Sequence, residues 1–429
     1  MAVTSGIKLR TKIETAHGTK AGGNWNLLRF TSEDLSPNME YTESASIRSD
    51  GQVTEIIRTD AMGGGSVNVE AAYDSAIDEL MRSAILCATG DAWQTAKASG
   101  SQTFASVAAT GDVPAKLTGS YNFASTGAFT AGMWVKLAGF ATAANNDIWK
   151  VVAVDGTTIY LEGRAMAADG SSSGRSVTQL VDATNGVTVD SWQLEREDAD
   201  TTTEFHLYGG ASVTGMEITV PTTGIITSSY SFEGKVPTSV ATTAGTGTDV
   251  AAATSSPFAG SDVTNFWEGD PRIGNILTNG TTASEWITEP FHLLDLSLSI
   301  TPNLRQRKVV GTLGPAATPG RGDINVSGSF RVYYNSHATG TSRADKVLID
   351  KGLNDTVSGL AFAVKDADGN GYIFDLPRVQ FTSVNRSTPG KSQDVIADIE
   401  FQAYRNPDDT NNDTSHVSGT TIRIARGNW

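Results

Sequence analysis

Cysteine is almost missing from this 429-residue chain, where Cys87 stands alone. No internal disulfide can form, and no thiolate cluster is there to hold a metal. Histidine is nearly as scarce: His17, His206, His292, His337 and His416 are scattered singly, and no two have metal-ligand spacing. Positive charge is in deficit too, with 32 lysines and arginines against 47 aspartates and glutamates and a formal net charge of −15. A molecule of that sign repels nucleic acid rather than gripping it. No apolar run approaches the roughly 20 residues of a membrane helix. The Met1-Ala-Val-Thr start lacks the charged and apolar regions of a secretion signal, so the expectation is a protein made and assembled in a cytoplasm.

What is present is glycine, 44 residues of it, in a chain that is 39% hydrophobic and 18% charged. That composition favours short strands and many turns over helices, and the length allows two or three domains. Cys87 falls at an apolar position of a predicted helix and is expected to behave as a small buried hydrophobe.

The strongest pattern runs from Leu293 to Tyr334. Leu294, Leu296, Leu298 and Ile300 alternate with polar residues, as do Ile324, Val326, Phe330, Val332 and Tyr334. A period of two marks strands with one buried and one wet face. The connection between them, Asn303 to Gly322, is basic, punctuated by Gly and Pro, and too long for a simple turn. It carries Arg305, Arg307, Lys308 and Arg321, a concentration of positive charge on a negative molecule. One reading is a solvated hairpin tip; the other is a head-to-tail contact with an acidic surface of the next copy.

Residues 1–40 are polar and irregular and are expected to form an arm that needs a partner. A strand is expected to start at Ile47 and continue through Val53, Glu55 and Ile57, to break at Gly63-Gly64-Gly65, and to resume at Val67. Ser75-x-x-Asp78 resembles a capping box, and Ile77, Leu80, Met81, Ala84, Ile85 and Ala88 share one helical face. Residues 101–184 turn to Ala, Gly, Ser and Thr around a compact core at Gly132–Phe140, Asp147–Val154 and Thr158–Glu162, which suggests an inserted small β-barrel. Strands follow at Val187–Leu194, Glu204–Tyr208, Met216–Val220 and Ser228–Lys235, and residues 238–283, with Thr242–Thr248 at their start, have the composition of a linker.

The order of elements then recurs. Gly65–Val69 lines up with Gly322–Val326, Ser75-x-x-Asp78 with Ser342-x-x-Asp345, and the four strands from Val187 with Leu360–Val364, Tyr372–Leu376, Val379–Val384 and Val395–Tyr404. This points to two diverged copies of one unit, the first carrying the insert. The expected fold class is mainly β: two tandem β-sandwich or barrel units, each with one flanking α-helix, plus the inserted barrel. The expected division is 1–40 arm, 41–100 with 185–237 first unit, 101–184 insert, 238–283 linker, 284–406 second unit and 407–429 C-terminal tail.

Catalysis needs convergent titratable groups, and none is apparent, so no catalytic, cofactor-binding or metal residue is nominated. Glu195 and Glu197 point the same way on a strand, as many pairs do in an acidic β-protein. Arg321-Gly322-Asp323 spells an integrin-type tripeptide that a glycine before a strand explains equally well. Gly63-Gly64-Gly65 leads into a strand with no Lys-Ser/Thr after it, unlike a phosphate loop. Asp366-Ala-Asp-Gly-Asn-Gly371 fits a hairpin turn; a weak Ca²⁺ site is its rival, although Pro377 stands where the bidentate Glu would be.

Taken together, Ser44–Ile85, Trp192-Gln-Leu-Glu-Arg196, Tyr208–Pro221, Tyr230–Lys235 and Gly371–Arg378 resemble the major tail tube proteins of bacteriophages with long, flexible, non-contractile tails. The resemblance covers most of the chain outside the first 40 residues and the insert. It implies a non-enzymatic virion subunit without cofactors. Such subunits form homo-oligomeric rings stacked head to tail around a tape-measure protein, with terminator and tail-tip proteins at the ends, no membrane, and DNA passing through without specific binding. Two units per chain would make the ring a trimeric pseudo-hexamer. The tube-sheet candidates are Leu294, Leu296, Leu298, Ile300, Ile324, Val326, Phe330, Val332 and Tyr334. The inter-ring loop candidates are Arg48, Arg58, Gly63, Gly64, Gly65, Arg305, Arg307, Lys308 and Arg321. Another β-rich virion protein or a surface adhesin with the insert as its binding module is the alternative, and a carbohydrate-active β-sandwich enzyme comes third.

Overall fold

The computed structural model describes residues 6–87, 93, 96–108, 115–162, 166–198, 204–269, 293–333, 344–355, 357–387, 390–391, 393–406 and 419–429. The chain opens with β1 (Ile7–Ile13), β2 (Asn26–Leu28), β3 (Ser32–Glu33), β4 (Ser36–Glu43) and β5 (Ile56–Glu70), then enters α1 (Ser75–Ala84). Next come β6 (Gln102–Val107), β7 (Ala115–Gly119), β8 (Trp134–Ala138), β9 (Ile148–Asp155), β10 (Thr158–Glu162) and β11 (Asp169–Gln179). They are followed by β12 (Val181–Thr184), β13 (Trp192–Asp198), β14 (Glu204–Val220), β15 (Thr227–Lys235), β16 (Thr238–Val240) and β17 (Val263–Gly269). The remainder holds β18 (Leu293–Thr301), β19 (Arg305–Arg307), β20 (Ala317–Gly320), β21 (Asn325–Tyr333), α2 (Ala344–Leu353), β22 (Ser358–Lys365), β23 (Asn370–Ser387), β24 (Ile396–Ala403) and β25 (Arg423–Asn428).

Two stretches share one pairing scheme. In the first, neighbours run β4–β5–β15–β14–β13; in the second, β18–β21–β24–β23–β22. Each has its helix after the second strand of the scheme, α1 following β5 and α2 following β21. Even the irregularities agree: β14 shifts register against β15 between Val213 and Gly215, and β23 shifts against β24 between Phe381 and Ser383. The register differs from the sequence alignment. Gly65 lies opposite Phe232 and Gly328 opposite Phe401, so Gly65–Val69 corresponds to Gly328–Val332 rather than to Gly322–Val326.

β14 and β23 are long because each changes its pairing partner midway. The first part of β14 pairs with β13 and the rest with β15, and β23 divides likewise between β22 and β24. Strands expected separately at Glu204–Tyr208 and Met216–Val220 are therefore one, as are those at Tyr372–Leu376 and Val379–Val384. The change of neighbour comes with a register shift, between Val213 and Gly215 in β14 and between Phe381 and Ser383 in β23, and this interrupts the period of two.

The repeats are fused side by side. Met216, Ile218 and Val220 of β14 face Ile300, Leu298 and Leu296 of β18, so one sheet runs β4–β5–β15–β14–β18–β21–β24–β23. A single apolar core lies behind it, with Val67, Val69, Ile218, Tyr230, Leu298, Phe330 and Phe401 from both repeats. Helix α1 contributes Ile77, Leu80, Met81 and Ala84 to that core. Its N-cap is Asp74, whose side chain accepts from the Ala76 N–H at 2.7 Å, so Ser75 is the first helical residue and not the cap. Cys87 is buried just beyond the helix end. The partner Ser342 and the helix-face residue Ala88 lie outside the described residues.

The insert closes as a six-stranded barrel in the order β10-β7-β6-β11-β8-β9. Its own core includes Phe104, Leu117, Leu137, Trp149, Val151 and Ile159.

Three segments are more ordered than their composition suggests. In place of an arm, β1 pairs with β13 and Trp25 is fully buried. The alternating cations of Ile7–Ile13 suggest a solvated segment, but Arg10 is buried against Glu195 at 3.2 Å and Lys8 sits beside Glu197 at 3.6 Å. In place of a linker, Thr243 donates to Glu195 at 2.6 Å, Ala244 and Phe258 are fully buried, and β17 pairs with β22. In place of a tail, β25 pairs with β12 and β23, burying Ile422 and Ile424.

Candidate assembly surfaces

Along the fused sheet every second side chain turns away from the core. One row runs Asn68, Ser229, Glu217, Ser299, Ser327, Gln402 and Gln380 across seven strands. The next runs Glu70, Thr227, Thr219, Ser297, Ser329 and Glu400. The Ser297 and Ser329 hydroxyls are 3.0 Å apart, and Gln402 donates to Asn325 at 3.2 Å. A third row holds Asp295, Arg331 and Asp398, with the Arg331 guanidinium bound by Asp295. The face is thus a field of hydroxyls, amides and carboxylates, with its one cation in these rows neutralised.

The nominated strand residues form the other side of this sheet. Leu296, Leu298, Ile300, Val326, Phe330 and Val332 are buried in the core, and Leu294 is half-buried. Ile324 precedes β21 and packs against the core from there, while Tyr334 lies outside the described residues. Ser297, Ser299, Ser327 and Ser329 are the polar residues that alternate with this apolar set, and the ladder adds Glu217, Thr219 and Ser229 beside them, from strands whose wet faces the sequence does not mark as part of the same sheet.

The loop between β18 and β21 is not a free hairpin tip. Its β19–β20 hairpin folds back onto the first repeat, where Lys308 is ion-paired with Asp60, the Gly314 N–H donates to Asp60 at 3.0 Å and Gln306 donates to Glu233 at 3.0 Å. The Lys308 ammonium holds the Asp60 carboxyl below the usual carboxylate range. Arg305 donates to the Arg321 carbonyl at 3.0 Å, stiffening the hairpin, and Arg307 and Arg321 are exposed. What protrudes is aliphatic: Val310 is fully exposed, with Val309 and Leu313 beside it.

The corresponding loop of the first repeat joins β4 to β5 and also carries exposed aliphatics, Ile47 and Val53, with Ile56 and Ile57 at the strand start. Arg48 there closes on Asp50 at 2.9 Å, and Arg58 is an exposed residue of β5. Gly63, Gly64 and Gly65 do not belong to the loop but lie within β5. A Cβ at Gly63 would come within 2.5 Å of the Lys235 carbonyl, and one at Gly64 within 2.4 Å of the Phe232 carbonyl. Glycine here permits close strand approach instead of breaking the strand.

The insert is anchored to the second repeat. The Lys150 ammonium meets Asp375 of β23 at 2.8 Å, and the Trp134 indole donates to the same carboxylate at 3.0 Å, all of it buried. Ala131, Ile148, Val152 and Leu180 close over Ala361, Ala363 and Ile373 around that pair.

Asp366 turns the β22–β23 hairpin, accepting from the Asp368 and Asn370 backbone N–H groups at 3.0 and 2.8 Å. Among the described residues no group of three or more His, Cys, Asp and Glu side chains is placed to share a metal.

A comparison with curated proteins finds no match. The family model described as phage tail tube protein matches residues 4–403, which takes in both repeats and the insert. With that span and a β-rich duplicated architecture, the chain belongs to the phage tail tube protein family, whose members are structural rather than enzymatic.

Proposed function

We propose that three copies of this chain close into a ring of six repeats, and that rings stack head to tail into a tube whose lumen conducts DNA during ejection. The chain is a structural subunit of the virion tail that self-assembles into a tube; the ring, its stacking and its conduit are the reading added here. The observation that carries it is the β14–β18 seam, by which two repeats of identical pairing order already lie side by side in one sheet. Repeats joined in this way and related by rotation form a ring, and closed rotational symmetry satisfies every edge.

The polar face of that sheet supports its placement toward the lumen. Carboxylates such as Glu217 and Glu400 repel a phosphate backbone, and the one cation of these rows, Arg331, is neutralised by Asp295, so the face offers phosphate no strong electrostatic hold. The insert docks on Asp375, in the part of β23 that pairs with β22 and β25 and not with β24. This supports a position outside the bore. The two aliphatic loops, around Val310 and Ile47, support axial contacts between rings, since exposed apolar clusters mark interaction sites. A tape-measure protein inside the lumen, terminator and tail-tip proteins at the ends, and assembly in the host cytoplasm complete the reading. Negative-stain microscopy of the purified protein tests it: hollow filaments are expected, and a population that stays as discrete particles under all assembly conditions would overturn it.

A further inference from the structure

We propose that the seam between neighbouring copies repeats, residue for residue, the seam that the chain makes within itself: Ser383–Ser387 of β23 pairs antiparallel with the Asp34–Pro37 edge of a second copy. The inference rests on the ring reading above and adds its register.

The internal repeat dictates the correspondence. The shared irregularity places Gly215 of β14 with Ser383 of β23, so Met216, Glu217, Ile218 and Thr219 correspond to Val384, Asn385, Arg386 and Ser387. On the other side, Gly65 corresponds to Gly328. Glu33 opposite Val67 then matches Leu296 opposite Phe330, and Ser36 opposite Gly64 matches Ser299 opposite Ser327. Leu35, Ser36 and Pro37 therefore stand where Leu298, Ser299 and Ile300 stand. Leu35 and Leu298 are both buried, as that match requires.

Inside the chain, Glu217 faces Ser299 and Ile218 faces Leu298. Carried to the other edges, Val384 faces Pro37, Asn385 faces Ser36, Arg386 faces Leu35 and Ser387 faces Asp34. Among the described residues Ser36–Glu43 pairs with β5 alone and is exposed throughout, and Ser383–Ser387 pairs with β24 alone. Leu35 donates its N–H to the Glu33 carboxylate at 2.8 Å and accepts from the Tyr208 hydroxyl at 2.8 Å within the chain, so the seam exchanges the Glu33 contact for the strand of the second copy. Pro37 falls at the last pair of the seam, where its missing N–H costs least. Only another repeat of this sequence presents the strand that β18 presents to β14, so the occupant is a second copy.

Cysteine pairing in assembled tubes tests the register. Residues directly opposite on antiparallel strands have Cα atoms about 4.5–5.5 Å apart, within disulfide reach, and the native Cys87 is buried. Tubes of the S36C/N385C double variant, oxidised and run on a non-reducing gel, are expected to give covalent dimers and a closed trimer as the terminal species. S36C/S387C, two residues or roughly 6.6 Å out of register, is expected to link at least tenfold less. Deuterium exchange on the unmodified protein gives an independent reading: residues 34–36 and 383–387 already pair on one side with β5 and β24, and their exchange is expected to slow further in tubes relative to free subunits. Tubes that link preferentially through 36 and 387, or that leave exchange in these two segments as it is in free subunits, would overturn the seam while leaving the ring standing. Failure of the unmodified protein to form tubes would instead reject the ring reading.

Discussion

Gly65 and Gly328 hold the same place in the two repeats, each directly across the ladder from a phenylalanine, Phe232 for one and Phe401 for the other. At Gly328 a Cβ would lie 2.2 Å from the Ser297 carbonyl and 2.6 Å from the Phe401 ring. At Gly65 it would meet the Asp34 carbonyl at 2.7 Å, and the backbone there has φ +145°, where L side chains are strained. Gly328→Ala is therefore expected to lower stability by about 1–3 kcal/mol through overpacking. Urea unfolding of the purified subunit checks this, and an unchanged midpoint would contradict the close approach.

The buried pair beneath the insert gives a larger effect. Asp375→Ala removes the buried carboxylate that the Lys150 ammonium and the Trp134 indole share, at a cost of about 3–5 kcal/mol. The double variant K150M/D375N removes the charge and keeps an acceptor for Trp134, so it is expected to recover most of that loss. Thermal unfolding of both variants checks the difference; equal losses would mean that the ion pair does not anchor the insert.

Asp74 caps α1 with one carboxylate oxygen and accepts from the Ala253 N–H with the other. Asp74→Ala is expected to cost about 1–2 kcal/mol. Asp74→Asn, which keeps an acceptor for the cap, is expected to cost less. Denaturant midpoints separate the two.

His17 titrates below its ordinary value because it is partly buried and sits near the Lys235 ammonium; its Nδ1 is 3.1 Å from the Ser191 hydroxyl. The unfolded chain therefore takes up the proton first as pH falls through about 6.5. Stability present above that pH is lost progressively below it, until the folded state is protonated as well. His17→Gln is expected to flatten this part of the pH–stability profile, and an unchanged slope between pH 5 and 7 would remove His17 as its source.

Val310 is fully exposed at the tip of the loop between β18 and β21. Val310→Asp is expected to leave subunit stability within about 0.5 kcal/mol, as surface changes usually do, while preventing tube growth. Reversing Lys308 is a poorer probe, since that side chain holds the loop to Asp60. Sedimentation of assembled material checks the outcome, and normal tubes from the Val310 variant would exclude this tip from the axial contact.

The legible parts of the fold were those where one local rule acted alone. Leu294 to Ile300 alternates cleanly because β18 has one core face and one wet face along its whole length, and Ile77, Leu80, Met81 and Ala84 mark a helix because they share its apolar face, even though Asp78, Arg82 and Ser83 on the rest of α1 are buried as well. Elements with two environments were hidden. β14 changes partners midway, from β13 to β15, with a register shift, so its alternation breaks and one strand looks like two. β1 buries Arg10, whose guanidinium finds its carboxylates at Glu195 and Glu197 of β13 and at Asp249, all far along the chain. The triple glycine of β5 is explained by the backbones of β15 and Asp34 pressing against it, a reason that local sequence does not carry. For the surfaces, the positive charge of the β18–β21 loop was visible, but not that Asp60 consumes part of it while the aliphatic Val310 is left fully exposed.

Cryo-electron microscopy of assembled tubes measures the number of chains per ring directly. Threefold symmetry with six repeats around the bore and an unbroken sheet through both kinds of seam is the expected result; six chains per ring, or repeats meeting without shared strand pairing, would contradict the account.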